Sequence, residues 1–555
     1  MKIKKLIMDN WLMVAIIVVA TALRLWNLGN IPPHLTPDEA SLGYNAYSIL
    51  KTGRDEYGQL FPVIFKSFGD FKPGLYVYLT VPSVMVLGLT EFAVRFPAAL
   101  AGIISVWLIY LIVKKLFDQK RALFSAFIAA VTPWLIYFSR GAWEVNVSLT
   151  LTLAGIYFFL KAIEKNKYIV PSAGFFALTL VAYQGAKLST GLVVLILLAL
   201  YWKETFKFNK KYLLIAGILG IVISTPILFS FVQGKTGRLE VFSVFSYPRP
   251  KEYLEQFLSK ANEKAGDLNY YLYHPEWLNF KRGISGRWFN HFSGRFLFFE
   301  GDWGNPRHSA PYQGMFLISD LAILLIGLFV VFRNKLKREH FFILFWLALA
   351  PLPAVLSRDQ VHAVRALNMA VPLIVISAFG LSYLVTWIES QKFRRLFYFF
   401  TFTIYLLAFT YFLDAYFVHV SKHSSQLWEY GYKQIVETVT PIQSKYKEVK
   451  VQQSFAQPYI YFLFFQKYDP AKYQKQAKLV ASEFTGDVGH VEKLDNICFC
   501  AIDWSVNRGE SGTLFVADTI RIPSEDSKDE SLFNVIREIK YLNGRDTSFR
   551  ILEVR

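Results

Sequence analysis

Apolar blocks close to the ~20 residues that a helix needs to cross a bilayer recur through most of this chain, more than one soluble core could bury. They lie near residues 11–28, 94–113, 122–138, 145–160, 168–183, 188–202, 212–231, 314–332, 341–356, 366–387 and 396–418. Of the 555 residues, 54% are hydrophobic and 17% aromatic, beyond the usual share of a soluble domain. The sequence therefore predicts a polytopic α-helical membrane protein with about eleven transmembrane helices. Trp11–Leu28 follows basic residues and shows no small-residue cleavage site, so it reads as a retained first span with the N-terminus inside.

Charge sets the expected topology. The chain carries a formal +18, yet from His419 onward 18 Lys and Arg face 18 Asp and Glu, so the whole excess belongs to the membrane part. That distribution argues against a nucleic-acid surface and for basic loops held on the inner side. Residues 74–89 are nearly long enough to span, but Pro82 interrupts them and no basic cluster follows. If they crossed, Lys114, Lys115, Lys120 and Arg121 would lie outside, and the clusters at 161–167, 203–211, 333–338 and 392–395 would flip with them. The block therefore reads as an outer juxtamembrane or re-entrant helix. Lys2, Lys4 and Lys5 then join the inner clusters, while loops 29–93, 139–144, 184–187, 232–313 and 357–365, and everything after 418, face outside.

The first outer loop holds the densest set of polar signals. Thr36-Pro37-Asp38-Glu39 predicts a helix start, with Thr36 as N-cap, Pro37 at the first helical position and Glu39 completing a capping box. Gly53 supplies the stop, and Lys72-Pro73 closes the loop ahead of the next apolar run. Loop 232–313 is aromatic and long enough to form an ordered lid or interfacial platform. From about Ser421 the composition changes to a helix-like SQLWEYGYKQIVETV, followed by strand-like VKVQQSF, YIYFLFF, ICFCAIDW, TLFVADTI and FRILEVR. Two domains are expected: a transmembrane domain over 1–420, and a small soluble α/β domain over 421–555 that is extracytoplasmic and folds independently. Cys498 and Cys500 read as two small core residues rather than a disulfide.

The outer face collects Asp38, Glu39, Asp70, Lys72, Arg140, Glu144, Arg307, His308, His362 and Arg365, mostly at span ends. Carboxylates serve as general bases and cations hold phosphate, so a site with both suits transfer from a phosphorylated donor. Each residue also has a plain reading. Asp38 and Glu39 can simply complement a helix dipole, Lys72 can snorkel, Arg140 with Glu144 can be an ion pair, and the histidines can be solvated. No P-loop, no G-x-G-x-x-G after a strand and no H-E-x-x-H occurs, which removes support for nucleotide binding and zinc hydrolysis. Scattered carboxylates and histidines are compatible with a divalent metal but form no ligand motif, so no metal ligands and no cofactor are assigned.

Taken in order, Thr36-Pro37-Asp38-Glu39, Lys72-Pro73 and Phe92-Ala93-Val94-Arg95-Phe96-Pro97 resemble the membrane glycosyltransferases that use polyprenyl-phosphate sugars. Protein O-mannosyltransferases and the aminoarabinose transferase of lipid A are members of that group. The resemblance covers residues 10–420 and is strongest from 36 to 145. It implies that Asp38, with Glu39 beside it, activates the acceptor, and that Lys72 holds the lipid phosphate. Two departures stand out: Phe71 occupies the place of a Glu in the aminoarabinose transferase pattern, and Gly74 that of a second proline. Asp70 is the candidate substitute for the missing Glu. No W-W-D-Y-G motif is present, so likeness to oligosaccharyltransferases stops at architecture.

A separate argument reaches the same class. An outer-face transferase cannot draw on nucleotide sugars, so its activated sugar must arrive through the bilayer on a lipid phosphate. That phosphate is the leaving group, and a cationic clamp of Lys72 with Arg140 or Arg307 would stabilise its growing charge. The expected activity moves a hexosyl or pentosyl group from a polyprenyl-phosphate donor to a hydroxyl, or a phosphate, of a cell-envelope glycan, lipid or protein. It would act at the outer face of the cytoplasmic membrane, with the inversion at the anomeric carbon that the resemblance implies. A lipid-linked-sugar transporter or flippase would instead place charges within spans and show repeated halves. A non-catalytic envelope sensor would bind a ligand through residues 421–555 without turnover.

Overall fold

The computed structural model describes residues 11–233, 243–454, 456–481 and 488–555. Lys2, Lys4 and Lys5, and part of loop 232–313, lie outside the described residues.

Every expected span contains helix. In chain order these are α1 (Trp11–Leu25), α2 (Pro37–Thr52), α3 (Leu75–Leu87), α4 (Glu91–Leu116), α5 (Gln119–Val131), α6 (Pro133–Ser139) and α7 (Glu144–Ala162). They continue with α8 (Ile169–Leu180), α9 (Ala186–Leu200), α10 (Lys210–Val232), α11 (Lys251–Lys260), α12 (Leu268–Tyr273) and α13 (Glu276–His291). The helical body closes with α14 (Asp320–Arg333), α15 (Arg338–Leu349), α16 (Ala370–Glu389) and α17 (Arg394–Asp414). Among the described residues six helical stretches are long and apolar enough to cross unaided, or seven if α5 and α6, bent by 56° at Thr132-Pro133, count as one. Proline at the first position of α6 explains that bend, because the ring excludes the residue before it from helical geometry.

Helix α3 covers only about 20 Å at 1.5 Å per residue, against a core of ~30 Å. It buries Tyr76, Val77, Thr80, Ser83 and Val84 and exposes Met85 and Val86. That suits a helix lying on an apolar boundary. The span expected at 314–332 begins later, at Asp320, because Met315 and Phe316 donate backbone N–H bonds to Phe296 and Leu297. Helices α14 and α16 meet at Gly327 and Gly380, where an added Cβ would come within 2.0 Å of the Ile376 and Ile323 carbonyl oxygens respectively. Only glycine permits that backbone approach.

Residues after 421 form a six-stranded mixed sheet covered by helices. Its elements are α18 (Tyr432–Val439), β3 (Glu448–Gln452), α19 (Pro458–Phe465), α20 (Pro470–Gln476), β4 (Lys493–Leu494), β5 (Ile497–Cys500), β6 (Thr513–Ala517), β7 (Phe533–Lys540) and β8 (Thr547–Val554). The strand order is β4-β5-β3-β6-β8-β7, with β3 parallel to both neighbours and the remaining pairs antiparallel. An earlier hairpin, β1 (Ile64–Ser67) with β2 (Asp70–Pro73), lies in the first outer loop.

Three local expectations are corrected. YIYFLFF is the helix α19, not a strand; it is buried all round, so it lacks the polar face that would mark its period. The long helix expected around SQLWEYGYKQIVETV is interrupted by Gly431 at φ +126° and survives only as α18. Cys498 and Cys500 are joined by a disulfide, their Cα atoms 5.6 Å apart, on the outward side of β5, while Ile497 and Phe499 point inward. Residues two apart on a strand share a face, which is what brings the two sulfurs together.

The C-terminal unit does not stand apart. One hydrophobic core runs from Leu35, Leu42, Tyr44 and Tyr76 in the outer loop to Val449, Tyr459, Phe462 and Ile551 beyond it. Gly43 makes the fit, since a Cβ there would meet both Val94 and Phe464 within 2.6 Å. The independently folding appendage expected from composition therefore shares its core with α2.

Candidate active site

The predicted capping box forms. The Glu39 N–H donates to Thr36 Oγ1 (3.2 Å), the Thr36 N–H donates to Glu39 Oε2 (3.0 Å), and Gly53 ends α2 at φ +69°. What spacing could not show is that Glu39 is nearly completely buried and takes three further donors. Arg95 Nε reaches Oε1 at 3.0 Å, Arg95 Nη2 reaches Oε2 at 3.3 Å, and the Ala142 N–H reaches Oε1 at 2.8 Å. Arg95 in turn donates to the carbonyls of Leu28, Pro32 and His34. This pair locks the entry of α2 to α4 and to the turn before α7.

Asp38, one residue earlier, points outward and is exposed. Its carboxylate pairs with the Lys72 ammonium. Lys72 arrives there on the β1–β2 hairpin, whose tight turn places Phe68 and Gly69 at φ +53° and +88°. Two positive φ values match the right-handed strand twist. The hairpin is pinned on both sides: the Gly489 N–H donates to the Phe68 carbonyl (2.8 Å), and Gln184 Nε2 donates to that of Phe71 (2.8 Å). Burial opposes the Lys72 charge, but Asp38, Glu144 and Asp70 outweigh it and leave the pKa raised. Asp38 and Lys72 line one small cleft with Ser41, Asn45, Phe65 and Ser67, and the charges of Glu144 and Asp70 act on Lys72 there. Beside the hairpin, a larger cleft of about 250 Å³ is lined by residues 59–64, Phe71 and, from α10, Pro226, Phe229 and Ser230.

Other expected residues are placed elsewhere. Arg140 is fully buried, donates to the carbonyls of Leu23, Trp26 and Ile31, and stacks on Tyr416 and Phe417. Its guanidinium fastens the end of α1 and does not face Lys72. Arg307 is half-buried beside Glu429, whose carboxyl burial raises to about 7 against the pull of that arginine. His308, His362 and Arg365 gather in a second cluster with Asp302, Asp359 and His291. Burial lowers the pKa of both His308 and His362. Sequence reasoning missed Asp302 and Glu429; the D-x5-H spacing of Asp302 and His308 was the available signal for the former.

Sequence reasoning also passed over Glu56. It is fully buried where the outer loop meets Tyr459, accepting from Asn45 Nδ2 (3.0 Å), with no hydrogen bond to its second oxygen. Burial, opposed by Asn45 and reinforced by Asp55, lifts its pKa from 4.5 to about 8. The folded state therefore holds this proton more tightly than the unfolded chain, so stability falls as pH rises from about 4.5 to about 8, by a few kcal/mol at most. Glu56→Gln keeps the neutral shape and is expected to flatten that slope and raise the unfolding midpoint at pH 8. Unfolding curves of both proteins between pH 5 and pH 8 test it; parallel slopes would remove the proton from Glu56.

Comparison with known proteins bears on this geometry. Residues 72–229 match the family described as dolichyl-phosphate-mannose-protein mannosyltransferase. YkcB of Bacillus subtilis (strain 168), provisionally named a mannosyltransferase, is 28% identical over 152 residues, which are 27% of this chain and 20% of that protein. The match thus spans about a fifth of that relative's length. ArnT from Cupriavidus metallidurans, in the crystal structure bound to undecaprenyl phosphate, shares the fold with a TM-score of 0.58 at 11% identity, covering 98% of each chain. Its apo structure gives 0.56 with the same identity and coverage. The resemblance to polyprenyl-phosphate-dependent glycosyltransferases read from the ordered motifs is borne out, as is the multi-pass helical membrane fold with a C-terminal sheet.

Proposed function

We propose that this chain is a glycosyltransferase that moves a sugar from a polyprenyl-phosphate donor to a hydroxyl, or a phosphate, of a cell-envelope glycan, lipid or protein. The observation that carries the reading is the Asp38–Lys72 pair, a carboxylate and an ammonium presented by α2 and the β1–β2 hairpin, with a larger cleft lined by Phe71 of the same hairpin. The match of residues 72–229, and the named mannosyltransferase relative, support the reaction class. Lys72, at the start of that match, binds the lipid phosphate. Residues 59–64 and Phe229 take the first isoprene units. The acceptor hydroxyl attacks the anomeric carbon, the sugar–phosphate bond breaks with its electron pair going to phosphate, and Asp38 receives the hydroxyl proton.

The resting ion pair gives this scheme an order. While Lys72 holds Asp38, the carboxylate is a weak base; once phosphate draws the ammonium away, Asp38 loses its stabilising cation and its basicity rises. Donor binding thereby arms the base. One displacement on the face opposite the phosphate gives inversion, and the group moved is a hexose or a pentose. Asp70 and Glu144 tune the field at Lys72, and Glu39 organises the helix. The site faces the outside of the cytoplasmic membrane, with the segment before α1 inside and residues 421–555 outside, where they present the acceptor to α2.

Transfer of radiolabelled sugar from a synthetic polyprenyl-phosphate donor into envelope acceptors, by the purified chain in vesicles, tests the function. A flippase would move donor across the vesicle without consuming it, and a sensor would bind without turnover. Lys72→Ala is expected to weaken donor binding at least tenfold, since a charge-assisted phosphate contact is worth roughly 1.5–3 kcal/mol. Lys72→Arg should restore binding only in part, because a planar fork replaces a point charge. Unchanged donor affinity in the alanine variant would leave Lys72 as a snorkelling residue.

A further inference from the structure

We propose that Asp302, His308 and His362 form a binding site for a divalent transition-metal ion of the zinc type, clamping the outer loop before α14 to the outer loop before α16. Each offers one ligand atom, and these atoms all lie within 4.8 Å of one another. Two imidazoles with one carboxylate match zinc and its neighbours, whereas magnesium and calcium take oxygen ligands. A tetrahedral site at ~2.0–2.1 Å from each ligand places the ligand atoms about 3.3 Å apart, so the wider pairs close on the ion when it binds.

Burial argues for an occupant. Asp302 is fully buried, His308 is 5% exposed, and the His362 side chain is 11% exposed. Neutral imidazoles and a carboxylate gathered away from water are costly to desolvate, and a cation offsets that cost. The surrounding contacts orient the three groups as outer partners of a metal do. The Ala363 N–H donates to Asp302 Oδ2 (2.7 Å) and the Asn305 N–H to Oδ1 (3.0 Å), fixing the carboxylate across both loops. His308 Nδ1 lies 2.9 Å from Asp302 Oδ2, so the ion takes the place of the proton between them and His308 ligates through Nδ1, with its Nε2 protonated. The His362 N–H donates to His291 Nε2 (3.2 Å), which sets the backbone behind the second imidazole.

Two contacts oppose the ion and define the rearrangement it requires. The Arg365 N–H approaches His362 Nδ1 at 3.3 Å, a long bond given up when His362 ligates through Nε2 in its Nδ1-protonated form. The Arg365 side chain brings positive charge, but Asp359 Oδ2 meets it at 2.9 Å and also lies 4.0 Å from His362 Nε2, close enough to become a fourth ligand. The clamp reaches toward the reaction cleft as well, since the Trp143 ring packs edge-on to His308 at 5.5 Å and Trp143 precedes Glu144.

The test uses the full chain, purified in detergent, stripped with dipicolinate and titrated with ZnCl2 or CoCl2. The wild type is expected to retain about one zinc per chain after gel filtration, to show the intense visible bands of tetrahedral cobalt, and to gain thermal stability with zinc. His308→Ala and His362→Ala should each weaken zinc binding roughly 100-fold or more, and Asp302→Asn should do so while its single amide oxygen keeps one of the two backbone N–H bonds. His423→Ala, on the exposed His419–His423 stack, should change nothing. A wild type with no cobalt spectrum and no zinc-dependent stabilisation overturns the site whatever the variants do. Zinc binding lost in His423→Ala and kept in His362→Ala would overturn it too, moving the ion to the surface stack.

Discussion

Asp38→Asn is expected to lower turnover by about two or more orders of magnitude, the scale of a lost general base, while donor binding stays intact or tightens. The second half of that expectation follows from the structure. Asp38 holds the Lys72 ammonium in the resting site, so phosphate competes with Asp38 for the same cation. Amidation removes the competitor without removing the phosphate ligand. A mere helix-dipole role predicts the opposite pattern: Asp38 sits in the first turn of α2, where losing a negative charge costs about 0.3–1 kcal/mol of stability and no chemistry. Donor binding and turnover measured on the same purified protein separate these cases. Normal turnover in Asp38→Asn would send the search for the base to Glu144, whose charge acts on Lys72 next after that of Asp38.

Arg95→Ala is expected to be the most destabilising single change in the outer loop, at roughly 3–5 kcal/mol, the cost of leaving a buried charge without its partner. Three carbonyls lose their donors at once, and Glu39 loses two of its bonds while remaining buried. Glu39→Gln is the milder partner experiment. The amide keeps the side-chain shape, and its one oxygen can still accept either the Thr36 or the Ala142 N–H, so turnover is expected to stay within about tenfold of the wild type while the unfolding midpoint falls. Unfolding curves in detergent together with turnover decide the matter. A dead but fully stable Glu39→Gln would exchange the roles of Glu39 and Asp38; an Arg95→Ala protein as stable as the wild type would empty this pair of its structural meaning.

How far the sequence reached depended on the range of the interaction. The helical body was legible because a bilayer demands long apolar stretches, and such a stretch announces itself in any window of about 20 residues. The capping box and the glycine stop of α2 were legible for a similar reason: both are contacts between residues only a few positions apart. YIYFLFF was misread because a short helix buried on every side carries no period to distinguish it from a strand.

Partners distant in the chain were out of reach. Asp38 and Glu39 are neighbours with the same chemistry, and only the fold sends one to Lys72 in the cleft and the other to Arg95 in the interior. Arg140 was a reasonable phosphate ligand until the carbonyls of Leu23, Trp26 and Ile31 proved to surround it. The gathering of His308 and His362 around Asp302, and the core that the outer loop shares with the C-terminal sheet, arise the same way. Residue type and spacing therefore determined the class of the chain and the start of its key helix, because hydrophobicity and capping act locally. Burial and partnership decided which charges are structural and which stand in the cleft, because a charge is silenced or used according to the side chains that fold against it.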